Sequence, residues 1–140
     1  MAYHLSIFVE NKPGKLERVT KIFEENQVNI QYISVASLGE FGMIKTIVDK
    51  TDTAYDSLRA QGFTVSKRKI VIACIDDKPG SLHSLLNYLS SNNINIDDCY
   101  GYPMRNEDKV AMVIEAEVYP EIEKILSSNQ IVFISSEENY

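Results

Sequence analysis

One segment of this 140-residue chain occurs twice, and that repetition constrains the fold more than any other feature. Val9-Glu10-Asn11-Lys12-Pro13-Gly14-Lys15-Leu16 returns as Ile75-Asp76-Asp77-Lys78-Pro79-Gly80-Ser81-Leu82, at an offset of 66 (79 − 13). The same offset carries Asn26-Gln27-Val28-Asn29-Ile30 onto Asn92-Asn93-Ile94-Asn95-Ile96, and it sets Asp49 against Glu115. Gly14 and Asn29 are 15 apart, as are Gly80 and Asn95, so the first half of the unit repeats without an insertion.

Each copy reads as the same run of elements. Leu5, Ile7 and Val9 alternate with His4, Ser6 and Phe8, which predicts a strand. The counterpart, Ile70 to Ile75, is more continuously apolar and so more buried. Lys-Pro-Gly then breaks the strand and opens a helix. Leu16, Val19, Ile22 and Phe23 share a helical face, as do Leu82, Leu85, Leu86 and Leu89. The pairs Asn26-Gln27 and Asn92-Asn93 close these helices, because Asn tolerates a left-handed backbone. Second strands follow over 30–38 and 96–102. A hairpin turn, 39–42, has a longer and more polar counterpart over 103–108. Third strands are expected over 43–49 and 109–117. Asp52 or Thr53 is the expected cap of the next helix, with Leu58 inward and Gly62 just past its end. In the second copy Pro120 sits in the first helical turn ahead of Ile122, Ile125 and Leu126. Closing strands are expected over 63–67 and 131–134.

The order strand–helix–strand–strand–helix–strand, twice, is the ferredoxin-like βαββαβ arrangement, an α+β fold. The expected domains are 1–68 and 69–140, with the antiparallel sheets pairing side by side and so removing exposed strand edges. Units this small sit near the lower limit for a self-sufficient core and gain from packing on one another. The outer edges of one chain would still be unpaired, which predicts a homodimer.

The charge pattern removes several function classes. Residues 1–68 carry nine Lys and Arg against eight Asp and Glu, a net of +1; residues 69–140 carry five against twelve, a net of −7. A chain of net charge −6 is a poor partner for a polyphosphate, so nucleic acid is not expected. No stretch approaches the roughly 20 apolar residues of a membrane helix, and Met1-Ala2-Tyr3-His4-Leu5 enters a strand with no signal peptide before it. Cys74 and Cys99 lack CxxC spacing and read as reduced, core or half-buried thiols, which places the chain in the cytoplasm. His4 and His83 have no metal-ligand spacing and take structural or surface roles. Ser81 and His83 lack the orienting partner of a hydrolase, and no phosphate loop or dinucleotide fingerprint occurs. No metal and no cofactor is expected. Tyr100-Gly101-Tyr102 reads as a strand entering its hairpin.

The residues Glu10-Asn11-Lys12-Pro13-Gly14-x-Leu16 with Val28-Asn29-Ile30, and Asp77-Lys78-Pro79-Gly80-x-Leu82 with Ile94-Asn95-Ile96, resemble the ACT domain family in two copies over nearly the whole chain. Within it, the first unit is similar to the regulatory modules of phosphoglycerate dehydrogenase. It is also similar to the acetolactate synthase small subunit, through Val9-Glu10-Asn11, Leu16, Arg18-Val19 and Phe23. The resemblance implies a regulatory protein that binds a small ligand, mostly an amino acid, between two modules and acts on a separate metabolic enzyme. By resemblance the ligand contacts centre on Asn11, Gly14 and Asn29, and on Asp77, Gly80 and Asn95. Their neighbours Lys12, Pro13, Leu16 and Ile30, and Lys78, Pro79, Leu82 and Ile96, complete the expected sites. In the related dehydrogenase module a His precedes the loop; Val9 and Ile75 stand there here, which removes one polar contact.

The chemistry of those residues fits such a ligand. The first backbone N–H groups of a helix have no helical acceptor, and the helix dipole is positive there, so a carboxylate is favoured. Gly14 and Gly80 let a ligand approach the backbone, and Pro13 and Pro79 fix the turn. Asn11 both accepts and donates, whereas ionised Asp77 only accepts, so the two loops are not equivalent. Asn29 and Asn95 begin the adjacent strand and are expected to face the same loop. Pro-Gly before a helix is also a plain way to turn a chain. Two other functions therefore stand beside the sensor: a dimerisation module without a ligand, and a small acylphosphatase-like enzyme. The last wants an Arg in the loop where Lys12 and Lys78 stand.

Overall fold

The computed structural model describes residues 2–134; Met1 and the end of the expected second domain, 135–140, lie outside the described residues. The chain divides into two compact units, one over Tyr3–Arg68 and one from Lys69 onward.

In the first unit, β1 (Ala2–Glu10) leads through the Pro-Gly loop into α1 (Lys15–Glu25). Then come β2 (Ile30–Leu38), β3 (Phe41–Val48), α2 (Thr51–Ala60) and the start of β4 (Thr64–Asp76). The strand order is β2-β3-β1-β4, with β1 and β2 both antiparallel to β3. Leu5, Ile7 and Val9 of β1 and Ile44 and Val48 of β3 share one sheet face, as their period of two requires. Val19, Ile22 and Phe23 of α1 and Ala54 and Leu58 of α2 pack onto that face in one core. Each of the larger of these side chains contributes about 1.5–3 kcal/mol by leaving water.

The second unit repeats the plan. β4 continues into α3 (Ser81–Ser91), β5 (Asp98–Pro103), β6 (Lys109–Glu115), α4 (Tyr119–Ser128) and β7 (Val132–Ile134). β4 lies between β6 and β7, and β5 pairs with β6. Its core joins Val71, Ala73 and Ile75 to Leu85 and Leu89 of α3 and to Ile122, Ile125 and Leu126 of α4.

The sequence expectations need correction at several points. The strands expected over 63–67 and 70–75 are one strand, β4. The stretch 64–76 holds no glycine or proline to interrupt a strand, so it runs on through Lys67-Arg68-Lys69. Neither Asp52 nor Thr53 caps α2; the helix begins at Thr51 behind Lys50, and Asp52 accepts from Lys67 at 2.8 Å. The left-handed residues after α1 and α3 are Gln27 (φ 55°) and Asn93 (φ 60°), the second of each pair. Asn26 and Asn92 act through their side chains, donating at 2.8 Å to the carbonyls of Ile22 and Tyr88. Leu82, expected on the buried face of α3, is 41% exposed, and Leu16 of α1 is 40% exposed.

Register also corrects the repeat. Val9 faces Gly42, and Ile75 faces Val110, so past the hairpin the offset is 68 (110 − 42), not 66. The second hairpin has gained two residues, and the counterpart of Asp49 is Glu117 and not Glu115.

Candidate functional site

The Pro-Gly loops are built alike. Gly14 (φ 88°) and Gly80 (φ 91°) both take a left-handed backbone immediately before their helices, a conformation costing an L-residue roughly 1–2 kcal/mol. Among the described residues no side chain caps either helix. The backbone satisfies part of the first turn: Lys15 N–H donates to the Lys12 carbonyl and Ser81 N–H to that of Lys78. The next amides, of Leu16 and Glu17 and of Leu82 and His83, lie too early in their helices for an i−4 carbonyl within the helix and point out of its end. Each loop thus presents donors and a positive helix end at the protein surface.

The side chains around the loops differ between units. Asn11 donates to the Ser37 hydroxyl and to the Gly39 carbonyl, both at 3.0 Å. Both bonds use its side-chain nitrogen, which holds the loop on the β2–β3 hairpin. Lys12 pairs with Glu10 at 2.7 Å; that hydrogen bond lowers the Glu10 carboxyl and raises the Lys12 ammonium from their ordinary values. In the second unit Asp77 replaces Asn11, and its backbone N–H ties the loop to the hairpin by donating to the Asp108 carbonyl. Lys109 sits on Asp76 and holds its carboxyl below the usual range, while Lys78 stands 3.9 Å from the same carboxylate. All these pairs are exposed, so water screens them and their worth is small.

Two clefts flank the start of α1. One, about 170 Å3, lies toward β2 and is lined by Asn11, Lys12, Leu16, Val35 and Ser37. The other, about 200 Å3, lies toward β4 and is lined by Lys15, Arg18 and Phe63. Arg18 lies over the Phe63 ring, its guanidinium carbon 5.3 Å from the centre. In the second unit a cleft of about 420 Å3 occupies the β4 side of α3, with Lys78, Pro79 and Gly80 at one wall.

The structure brings Asn11, Lys12, Pro13, Gly14 and Leu16 together in the first unit, and Asp77, Lys78, Pro79, Gly80 and Leu82 in the second. It does not bring Asn29 or Asn95 to these loops. Asn29 precedes β2, whose other end, at Leu38, faces Phe41 beside the loop. Nine strand residues separate them, roughly 25–30 Å at the usual rise. Asn29 N–H instead donates to Asp49 at 2.9 Å, and Asn95 reaches Asp97 at 3.4 Å. Ile30 and Ile96 pack against their cores. Sequence reasoning did not single out Arg18, Phe63, Ser84 or Tyr88 as cleft residues, because nothing in the local pattern shows that the first helix and the approach to the closing strand border one cleft.

Both cysteines are free and half-buried, and burial is the main cause that raises their thiol pKa values. No helix among the described residues is long and apolar enough to cross a membrane.

Comparison with known proteins places this geometry. The profile of a family described as an ACT domain pair matches residues 1–140. A solved structure of a protein from Bacteroides thetaiotaomicron is 27% identical with a TM-score of 0.90, covering 98% of this chain and 94% of that one. The regulatory subunit of aspartate kinase from Thermus thermophilus is similar in fold, at 15% identity and a TM-score of 0.65, with 91% of each chain covered. That of Thermus flavus is 16% identical with a TM-score of 0.60, over 91% of this chain and 93% of that one. No curated protein matches the sequence.

Proposed function

The chain belongs to the ACT domain-pair family, and from that premise we propose that it is a regulatory protein that binds a free amino acid and acts on a separate enzyme. The observation that carries this reading is the duplicated loop. A left-handed glycine precedes an uncapped helix in both units, which is a seat for a carboxylate. A regulatory role is supported by the membership of the ACT domain-pair family. The similar Thermus structures are regulatory subunits of an enzyme, which fits a chain acting on a partner.

The dimerisation reading keeps one specific support: Val35 and Leu38 on the edge strand β2 are 56% and 59% exposed. The two readings meet in a homodimer. Asn11 and Asn29 lie a strand's length apart within one unit, so a site using both draws them from two copies of the chain. Ligand bound across such a site favours one arrangement by its differential affinity. Free Cys74 and Cys99 suit the reducing cytoplasm.

Calorimetric titration with each of the twenty amino acids tests the reading, on the native chain and on Asn11→Ala and Asn29→Ala. A saturable heat with one or a few amino acids is expected. Silence with all twenty, from folded protein stripped of carried-over ligand, leaves the dimerisation module.

A further inference from the structure

The two units present equivalent ground between their first helix and their closing strand, β4 in the first unit and β7 in the second, and fill it differently. In the first unit Arg18 reaches across to the Phe63 ring, and Phe8 and Phe41 stack with ring centres 5.0 Å apart; all four line the cleft. The offset of 66 puts Ser84 in place of Arg18, Ser81 in place of Lys15 and Cys74 in place of Phe8. The offset of 68 puts Ile131 in place of Phe63 and Lys109 in place of Phe41. Every one of these replacements lines the second cleft, which is about 420 Å3 against about 200 Å3 in the first. The difference is therefore written in side chains: the first unit narrows its cleft with its own arginine and aromatics, and the second leaves it wider.

We propose that this wider cleft is the ligand seat of the second unit, and that it takes a free amino acid with an uncharged side chain. The proposal rests on the amino-acid reading above and adds the place and the class. At one end Lys78, Lys109 and Asp76 sum to one positive charge beside the start of α3, and that end takes the α-carboxylate. The Asp76 carboxylate, already paired with Lys109, has further acceptor sites with which to meet the ammonium. One to two helical turns further along lie Ser84 and Tyr88, opposite Asn129 and Ile131. Among the described residues no charged side chain lines that end, so a charged ligand side chain would lose water there without gaining a partner. The volume falls within the usual range for small-molecule sites, about 300–1,000 Å3. The site lies on the opposite side of the helix start from the cleft that Asn11 borders in the first unit, and it needs no second chain.

Cys74 lines the cleft and Cys99 does not, which supplies a local reporter. The experiment titrates the full chain, in a Cys99→Ser background, with the twenty amino acids. It follows binding heat and the rate of Cys74 alkylation, then repeats both in Ser84→Arg, which installs the first unit's narrowing residue at an exposed position. Amino acids with uncharged side chains are expected to bind and to slow Cys74 alkylation. Ser84→Arg is expected to weaken binding about tenfold or more with an unchanged melting curve. Binding that survives Ser84→Arg and leaves Cys74 unprotected overturns the proposal, as does binding confined to amino acids with charged side chains. If that surviving heat is lost in Asn11→Ala or Asn29→Ala, the amino-acid reading stands and only this seat is wrong. If no amino acid binds the native chain, both fall.

Discussion

The side-chain amide of Asn11 donates to the hydroxyl of Ser37, 26 residues on, and so fastens the first Pro-Gly loop to the β2–β3 hairpin. The matching positions of the second unit hold Asp77 and Pro103, which have no such donor and no such hydroxyl. The units therefore differ in how their loops are held before any ligand is considered. Replacing Asn11 with Asp gives the first loop the chemistry of the second. It removes both donated bonds and sets a carboxylate against the Gly39 carbonyl. We expect a loss of about 1 kcal/mol, read from urea unfolding, with the exchange of loop amides speeding up before global unfolding.

The glycines tell backbone strain from crowding. An added Cβ at Gly14 or Gly80 would meet nothing within 4 Å, yet both residues have positive φ. Gly14→Ala and Gly80→Ala are thus expected to cost roughly 1–2 kcal/mol each through the left-handed backbone alone. Equilibrium denaturation of the two variants measures this, and equal losses at the two sites are the expected outcome.

Leu82 and Leu85 lie three residues apart in α3, and sequence periodicity put both on the apolar face. Leu85 is 1% exposed and Leu82 is 41% exposed. Leu85→Ala should cost about 2–5 kcal/mol by leaving a cavity, whereas Leu82→Ala should stay within about 0.5 kcal/mol. Paired thermal melts of the two variants check the contrast.

Arg18→Ser copies the second unit's residue into the first. It removes the guanidinium from the Phe63 ring, a loss of about 0.5–1 kcal/mol at an exposed site. The melting temperature should fall slightly, and the Phe63 side chain should become more solvated, which aromatic NMR shifts report.

Asp76 gives a pH prediction with a definite sign. Lys109 lowers its folded-state carboxyl below the ordinary value, so the folded state binds fewer protons than the unfolded one. Its stabilisation is present above the unfolded value, about 3.9, and is lost as pH falls through the lowered folded value. Asp76→Asn should therefore leave a shallower loss of melting temperature on acidification below about pH 4. The pair is exposed, so the effect is small and salt reduces it.

Much of the architecture was legible because it was written twice. Pro13-Gly14 and Pro79-Gly80 marked strand ends and helix starts, and the apolar periods of Val19, Ile22 and Phe23 and of Leu85 and Leu89 marked the faces that form the cores. What escaped was set by absences and by distance along the chain. The break expected between Lys67 and Ile70 had no glycine or proline behind it, and the strand runs on through it. Thr51 starts its helix with no side-chain cap, so no residue advertised that end. The contact of Arg18 with Phe63 joins residues 45 apart (63 − 18) on different elements. Asn11 and Asn29 looked like neighbours because both bordered α1, but they border opposite ends of it.

The two extra residues of the β5–β6 hairpin have a practical side. Asn106 takes a left-handed turn (φ 60°), and Met104 N–H closes on the Lys109 carbonyl at 3.0 Å, while Arg105, Asn106, Glu107 and Asp108 are all exposed. The lengthened turn has absorbed an insertion without disturbing the pairing of Asp76 with Lys109 or of Pro103 with Val110. Natural duplication has in effect already run the grafting trial: a short epitope or a dye-bearing segment spliced at Asn106 would label one half of a near-symmetric chain and leave its twin unmarked.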